Sequence, residues 1–379
     1  MRATRAPLYD EVRVARLFAD AGLDAVVVRS GQNVAYLSGV RFPGTLGRLQ
    51  DFAHSPRGAV VVQFADLATT LLVSRIAEPL AQRWTWVEDV REFTEYAENP
   101  FELAVAGLRE RGLARGRIGV ERGMLCLSHW ETLVDGLPGA ELVDCGDLLE
   151  RVRNVKTPAE LAIMRQAAHA QDEAHFDVFR TARPGDTERE LHARMLEALA
   201  LHGAESAHGM MQSSRNPVTY GGEGDVGVEL GDLIRTDYVS YHDGYAANLS
   251  RMAVMGAPTS AQEEMYDLLL DVHRDTANRK LRPGVTAAEV YGFVRERLVA
   301  AGFPLVASLA GHSIGIWWHQ EEPMLVPTEE RTLECGMVVC LEPILDGYWH
   351  IQDELLITDT GCELISDRAR TDELFQMAG

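Results

Sequence analysis

Five polar residues in the C-terminal half have the types and settings that could carry out acid–base or metal-assisted chemistry. Three are ionisable: Asp237, His312 in the motif Gly-His-Ser-Ile-Gly, and Glu342 in Leu-Glu-Pro. Two are amides, Asn248 and Gln352. Both carboxylates lie in apolar stretches that read as strands, where a buried carboxylate is costly unless it has a partner. A histidine between two carboxylates can accept or donate a proton near neutral pH.

An internal repeat predicts how these residues are positioned. Segment 183–190 contains Arg-Pro-Gly followed by a Thr-x-x-Glu capping box, and segment 282–289 repeats that order ninety-nine residues later. The helices that follow are predicted to end at Gly203 and Gly302. Taken singly, each carboxylate could equally point outward or pair with a neighbouring arginine. The repeat instead predicts a pseudo-two-fold domain, with sheets facing each other and a site where the halves meet.

Each repeat is preceded by a long helix and followed by strands that carry the polar residues. Capping boxes predict that the long helices begin at Thr157, with Glu160, and at Ser260, with Glu263. The strands, which suggest hairpins, are predicted at 233–241, 245–255, 337–344 and 350–358.

The first 150 residues have a different pattern, in which short apolar runs alternate with amphipathic segments. Helices are predicted at 10–21 and 101–113, and strands at 25–28, 59–63, 70–74 and 118–120. This pattern is typical of an α/β layer domain. The chain of 379 residues therefore reads as an α/β (α+β) protein with two domains, residues 1–152 and 153–379.

Composition excludes several classes of function. The net charge of −21 disfavours nucleic acid and anionic membranes as partners. Five cysteines without a Cys-x-x-Cys motif argue against a disulfide framework and against a structural zinc site. The N-terminal segment lacks the apolar run of a signal peptide, so a cytoplasmic location is expected. A small-molecule substrate is the expected partner.

These motifs resemble those of the pita-bread superfamily, which includes methionine aminopeptidases, Xaa-Pro peptidases and creatinases. The resemblance rests on Gly-His-Ser-Ile-Gly, Leu-Glu-Pro-Ile, and the spacing of Gly244, Tyr245 and Arg251. It covers the chain from about Asn154 onward. Residues 10–150 look like the N-terminal domain of the creatinase and Xaa-Pro peptidase branch. The resemblance also implies a homodimer.

The resemblance implies a metal site that this sequence has altered. Metal-dependent members hold two metal ions with two aspartates, one histidine and two glutamates. The matching positions are Asp237, Asn248, His312, Glu342 and Gln352, so two of the four carboxylates have become amides. An amide offers a neutral oxygen, whereas hard divalent ions prefer anionic ones. We therefore predict that the chain has no dinuclear metal site. At most one Mn, Co, Zn or Fe ion could bind weakly to Asp237, His312 and Glu342.

The same resemblance suggests substrate-binding residues around the site. Arg215 precedes Asn216-Pro217, where creatinases carry a catalytic histidine, and could bind a substrate carboxylate. His319 matches a second histidine of the peptidases. Asn248 and Gln352 would act as neutral hydrogen-bonding groups, and Tyr220 and Trp317 as walls. Three other histidines read as surface or loop residues: His208, His242 and His350.

Three functions follow from these residues, in decreasing order of preference. The first is a metal-independent hydrolase of a C–N bond in a small polar molecule, in which His312, Glu342 and Asp237 are catalytic. The second is an Xaa-Pro peptidase with a degraded or mononuclear metal site, favoured by His319. The third is a non-catalytic binding protein on the same fold.

Overall fold

The computed structural model describes residues 6–218, 222–304, 307–368 and 371–378. The chain divides into two compact units, Met1–Arg153 and Asn154–Gly379. Each unit has its own hydrophobic core. All five polar residues of the predicted site belong to the second unit.

The N-terminal unit is a mixed β-sheet with helices packed on it. Its strand order is β4-β3-β2-β1-β5-β6, with β1 parallel to β5 and antiparallel to β2. Strand β1 is buried along its whole length, because its Ala-Val-Val-Val run lies inside the sheet. The elements are α1 (Glu11–Asp20), β1 (Ala25–Val28), α2 (Gly31–Ser38), α3 (Gly44–Gln50), β2 (Val60–Phe64), β3 (Thr69–Ser74), α4 (Glu78–Trp84), β4 (Asp89–Phe93), α5 (Pro100–Glu110), β5 (Arg117–Val120), α6 (Leu127–Gly136), β6 (Glu141–Asp144) and α7 (Gly146–Asn154).

The long helices of the C-terminal unit begin at capping boxes. The Thr157 hydroxyl accepts a hydrogen bond from the backbone N of Glu160, whose carboxylate accepts one from the backbone N of Thr157. Equivalent boxes start both repeat helices, as the sequence predicts. The helices are α8 (Pro158–Thr181), α9 (Glu188–Leu201), α10 (Ser260–Lys280) and α11 (Ala287–Ala300).

One predicted cap is wrong by a residue. The box that starts α10 is formed by Thr259 and Gln262, and not by Ser260 and Glu263. Both pairs satisfy the sequence pattern. The Gln262 side chain also donates to the backbone oxygen of Gly231 (2.9 Å), which favours this register.

The strands of the C-terminal unit form a sheet in each half. In the first half the strand order is β18-β10-β8-β7, with β9 also paired to β8; in the second it is β12-β11-β13-β16-β17, and β14 pairs with β15. The strands are β7 (Ser206–Ser213), β8 (Leu233–His242), β9 (Tyr245–Leu249), β10 (Met252–Met255), β11 (Gly311–Ser313), β12 (Glu321–Met324), β13 (Val338–Leu341), β14 (Ile344–Leu345), β15 (Trp349–His350), β16 (Asp353–Ile357), β17 (Cys362–Leu364) and β18 (Phe375–Met377).

Several predicted strands are interrupted where the halves meet. Strands β9 and β10 are separated at Ser250, whose backbone N and O are hydrogen-bonded to the backbone O and N of Gln352. Gln352 itself separates β15 from β16. This bridge joins the two sheets beside the predicted site, so the breaks in the strands are part of the site's architecture.

The helices cover the outer face of each half. Apolar residues of α8 and α9, such as Val178 and Leu199, pack with Ile234 of β8. Residues of α10 and α11, such as Leu269 and Val294, pack with Val339 of β13. In the described part of the chain, none of the helices has both the length and the apolar character that a membrane span requires.

Candidate active site

A tight turn brings Asp237 and Asn248 together on neighbouring strands. The turn residues Asp243 and Gly244 both have positive φ (49° and 80°), as in the two-residue turns that match the twist of paired strands. The Nδ2 group of Asn248 donates to Asp237 Oδ1 (3.2 Å) and to the backbone O of Tyr238 (3.0 Å). An amide N–H is therefore directed at the carboxylate.

Gln352 extends this hydrogen-bond chain from the opposite half. Its Nε2 group donates to Asn248 Oδ1 (2.8 Å) and lies 3.4 Å from His312 Nε2. The Ser250 hydroxyl donates to Gln352 Oε1 (3.3 Å). Both amide side chains are buried, at 3% and 0% exposure. Each amide oxygen thus already accepts a hydrogen bond, and the amide N–H groups face the other site atoms.

The backbone around His312 fixes the orientation of its ring. Its Nδ1 is 2.9 Å from the backbone O of Ser313, which can only accept, so Nδ1 carries the proton and Nε2 presents its lone pair to the site. The preceding Gly311 has φ 153°, and a Cβ there would meet the backbone O of Cys340 at 2.0 Å. A glycine is required for β11 to approach β13 this closely.

Glu342 lies between two buried histidines. Its Oε1 is 3.9 Å from His312 Nε2, and its Oε2 is 3.7 Å from His350 Nε2. Among the residues that the structure describes, Glu342 Oε1 is a buried oxygen without a hydrogen-bond partner. A buried carboxylate oxygen of this kind is costly unless it has a role in binding or catalysis.

His350 is a site residue that the sequence did not reveal. The expectation that it lies at the surface is wrong, because it is 0% exposed and adjacent to Glu342. His242 is likewise buried, whereas His208 is exposed, as the sequence predicts. The sequence did offer one signal: His350 lies two residues before Gln352, and in a continuous strand this spacing places both side chains on the same face. The signal is weak, because β15 ends between the two residues.

His319 joins the site through a chain of imidazole rings. Its ring centroid is 5.9 Å from that of His312 and 5.7 Å from that of His208. Burial, followed by the neighbouring imidazoles, lowers the pKa of His319 to about 3, with Asp237 opposing the shift. His319 is therefore neutral near pH 7 and can donate a single N–H.

A cavity of about 320 Å³ opens onto these residues. Its walls include Asp237, Asn248, His319 and Glu342, and also Arg235. In the sequence, Arg235 is one of the neighbouring arginines that could pair with a carboxylate. The cavity therefore brings together four of the predicted site residues and adds a guanidinium group.

The other predicted substrate-binding residues are placed differently. Arg215 has an exposed side chain (44%), and its guanidinium pairs with Glu229 (2.5 Å) and Asp232 (3.1 Å). Trp317 is half-buried, with φ 70°. Tyr220 lies outside the described residues. Substrate binding by Arg215 and Trp317 stays a prediction, and these surface pairs give Arg215 a structural role of its own.

A buried ion network behind the site holds Gln352 in place. Arg251 Nη2 lies 2.6 Å from Asp172 Oδ1 and 2.9 Å from Asp353 Oδ1. Arg251 Nη1 donates to the backbone O of Gln352 (2.7 Å). Removing one partner of such a buried, hydrogen-bonded pair is strongly destabilising. The Gly-Tyr-x5-Arg motif thus stabilises the contact between the two halves.

Glu354 is hydrogen-bonded to the backbone of the site residue Asn248, and its pKa leads to a testable prediction. Its Oε1 accepts a hydrogen bond from the backbone N of Asn248 (2.8 Å). Burial raises the pKa of Glu354 to about 8, against the opposing effect of that hydrogen bond. The folded protein thus binds this proton more tightly than the unfolded chain, whose carboxyl titrates near about 4.3. This contribution to stability is complete below that value and is lost as the pH rises through about 8.

We expect Glu354→Gln to remove this pH dependence. At pH 4 the variant and the wild type should unfold at similar urea concentrations, because Glu354 is then largely protonated in both the folded and the unfolded wild type, and a protonated glutamate is nearly isosteric with glutamine. At pH 9 the variant should be the more stable by several kcal/mol, since only the wild type must then bury a carboxylate. The exposed Glu264→Gln is the matched control. An equal shift at both pH values would show that Glu354 is not protonated in the fold.

The residues present do not fit a pair of divalent cations. Asn248 and Gln352 replace two of four carboxylates, and their N–H groups point at Asp237 Oδ1 and His312 Nε2. Within the described ranges, no group of three or more His, Cys, Asp and Glu side chains is arranged to hold a metal ion. The predicted set of three ligands, Asp237, His312 and Glu342, is therefore not assembled. The possible ligand atoms that lie together are His312 Nε2 and Glu342 Oε1, which suit one weakly held cation at most.

Comparison with known proteins places these observations in a family. Residues 162–367 match metallopeptidase family M24, and residues 12–155 match the creatinase/prolidase N-terminal domain. The "Probable dipeptidase PepE" of Mycobacterium bovis is 31% identical over 358 residues, which is 92% of this chain and 91% of that protein. The "Xaa-Pro dipeptidase" of Pyrococcus furiosus is 29% identical over 262 residues, covering 67% and 74% of the two chains.

A solved structure confirms the predicted two-domain α/β fold. Dipeptidase PepE from Mycobacterium ulcerans superposes with a TM-score of 0.79 at 26% identity, covering 97% of this chain and 96% of its own. The extent of that match includes both units of the chain.

These relatives overturn the leading sequence-based hypothesis. A metal-independent, creatinase-like hydrolase is wrong as the first choice, because the matching family is one of metallopeptidases and the relatives are named as dipeptidases. The peptidase alternative is favoured instead, and hydrolysis of a C–N bond is confirmed at the level of the family. Because its matched region spans residues 162–367, behind a creatinase/prolidase N-terminal domain, the chain belongs to metallopeptidase family M24.

Proposed function

We propose that the chain is a dipeptidase-like peptidase that cleaves short Xaa-Pro or similar dipeptides and uses at most one divalent cation. The observation that carries this proposal is Glu342 Oε1, a buried oxygen 3.9 Å from His312 Nε2, on a residue that lines the cavity. The volume of about 320 Å³ is in the range of small-molecule sites. The likeness to dipeptidases over nearly the whole chain supports the choice of substrate.

The residues divide the chemistry of amide hydrolysis among them. Glu342 accepts a proton from the attacking water, since its Oε1 lies near His312 Nε2, and returns this proton to the leaving nitrogen as the C–N bond breaks. His312 presents a fixed lone pair at Nε2 and helps to orient that water. The neutral His319 donates an N–H to the carbonyl oxygen as it gains charge. General acid–base contributions of this kind are worth about 10²–10⁴-fold in rate.

A single cation would be held by His312 and Glu342. When bound, a divalent cation would polarise the substrate carbonyl and lower the pKa of a water molecule. Asp237 Oδ1 already accepts a hydrogen bond from Asn248. We expect weak binding, because two protein ligands with only one negative charge hold a hard cation poorly.

The test is hydrolysis of a dipeptide panel by protein stripped with EDTA and then supplied with Mn²⁺, Co²⁺ or Zn²⁺. We expect cleavage of Ala-Pro or a related dipeptide that rises with added cation, with no more than one cation per chain by calorimetry. Two cations per chain would overturn the single-cation site. No cleavage of any dipeptide under any condition would overturn the peptidase and favour a binding protein.

A further inference from the structure

Arg235 is a buried cation in the wall of the candidate active site. It is 1% exposed and lies two residues before Asp237 on β8, so both side chains leave the same face of the strand, about 6.6 Å apart. Its Nη1 donates to the backbone O atoms of Gly347 (3.2 Å) and Tyr348 (3.4 Å). The guanidinium carbon is 5.8 Å from the centre of the Tyr348 ring. These contacts fix the guanidinium at the cavity.

The position of Arg235 suits recognition of a carboxylate. Its planar fork can bind both oxygens of a carboxylate, and burial strengthens such charge-assisted hydrogen bonds. In a dipeptide the C-terminal carboxylate carbon is two bonds from the scissile nitrogen, at about 2.5 Å. When the scissile bond lies against Glu342 and Asp237, the carboxylate must therefore lie in the same cavity, which Arg235 also lines.

We propose that Arg235 binds the C-terminal carboxylate of the substrate and makes the site specific for dipeptides with a free C-terminus. This inference rests on the proposed peptidase function and names its specificity-determining residue. Arg215, the arginine selected from the sequence, is exposed and paired with Glu229 and Asp232. Arg189, whose exposed side chain pairs with Asp225 (2.9 Å), is the matched control for the loss of a guanidinium.

The first experiment compares Arg235→Met, Arg235→Lys and Arg189→Met with Ala-Pro and Ala-Pro-amide as substrates. For Ala-Pro we expect Arg235→Met to raise KM by ~10²-fold, the usual effect of removing one partner of a buried charge pair, with little change in kcat. Arg235→Lys should raise the KM for Ala-Pro by a smaller factor, because lysine keeps the positive charge but lacks the planar guanidinium that binds both carboxylate oxygens. Neither variant should change the KM for the amide, and Arg189→Met should behave as the wild type with both substrates.

A second experiment separates this inference from the proposed function. It measures the thermal shift of the wild type and of Arg235→Lys with N-acetylproline and with N-acetylprolinamide. We expect a rise in Tm only for the acid, reduced in the lysine variant, whether or not the protein cleaves peptides. Equal stabilisation by acid and amide, or equal KM effects on both substrates, would overturn the role of Arg235 even if hydrolysis occurs.

Discussion

The double substitution Asn248→Asp, Gln352→Glu is expected to create a site that binds two divalent cations per chain. We also expect it to raise dipeptide hydrolysis by ~10³-fold, since metal-ion catalysis supplies several kcal/mol of transition-state stabilisation. In the wild type, Asn248 donates to Asp237, and Gln352 donates to Asn248. Replacing both amides removes these donors and supplies two anionic oxygen ligands in their place.

The metal-free double variant should be less stable than the wild type. The introduced carboxylates would face Asp237 and Glu342 in a buried site, where like charges repel strongly. Added Mn²⁺ should reverse this loss, because a ligand that binds only the folded state stabilises it by about 4 kcal/mol at a thousand times its Kd. The measurements are Tm against Mn²⁺ concentration, calorimetric stoichiometry and kcat/KM for Ala-Pro.

A charge-matched control separates ligand chemistry from added charge. Gln166→Glu with Asn278→Asp makes the same two changes on exposed helical positions. This control should bind no additional cation and should keep the wild-type rate. Each single site substitution should give an intermediate response, because one amide N–H would still face the site. A double variant with unchanged metal binding would show that the amides are not what prevents a second cation.

Glu342→Gln is expected to lower kcat for dipeptide hydrolysis by ~10²–10⁴-fold while leaving the fold intact. An amide cannot accept the proton that a general base removes from water. The change is isosteric, and the buried group keeps its position between His312 and His350. We therefore expect Tm and the circular dichroism spectrum to stay close to those of the wild type.

The controls for this variant test the assignment of the base. His312→Ala should also abolish turnover, because the ring that faces Glu342 is lost. Glu264→Gln, on the exposed face of α10, should leave both rate and stability unchanged. Full activity in Glu342→Gln would place the base elsewhere, with Asp237 the next carboxylate on the cavity wall.

Local features of the chain were predictable because the interactions that form them span few residues. The capping boxes at Thr157, Thr187 and Thr286 link atoms three residues apart, so the sequence shows both partners together. The same short range explains the error at α10, where two overlapping boxes were available. The breaks at Ser250 and Gln352 were not predictable, since each depends on a partner 102 residues away.

Burial of single polar residues was also beyond sequence reasoning. His350 and Glu354 occur in short strands where a period of two gives little information. Their burial follows from the packing of the second sheet against the first, which places Glu354 under Asn248, 106 residues away. The identity of the cavity arginine depends on the same packing.

The sequence by itself determined the repeat and the helix starts, which are properties of residue type and spacing. Its resemblance to the pita-bread superfamily implied that the amides Asn248 and Gln352 stand where metal-dependent members have carboxylates, which predicts a weakened metal site. Only the tertiary structure decided that the amide N–H groups point at Asp237 and His312, and that Arg235 lines the cavity while Arg215 is exposed. The physical reason is that side-chain direction and burial at this site are set by strand pairing and sheet contacts between distant segments.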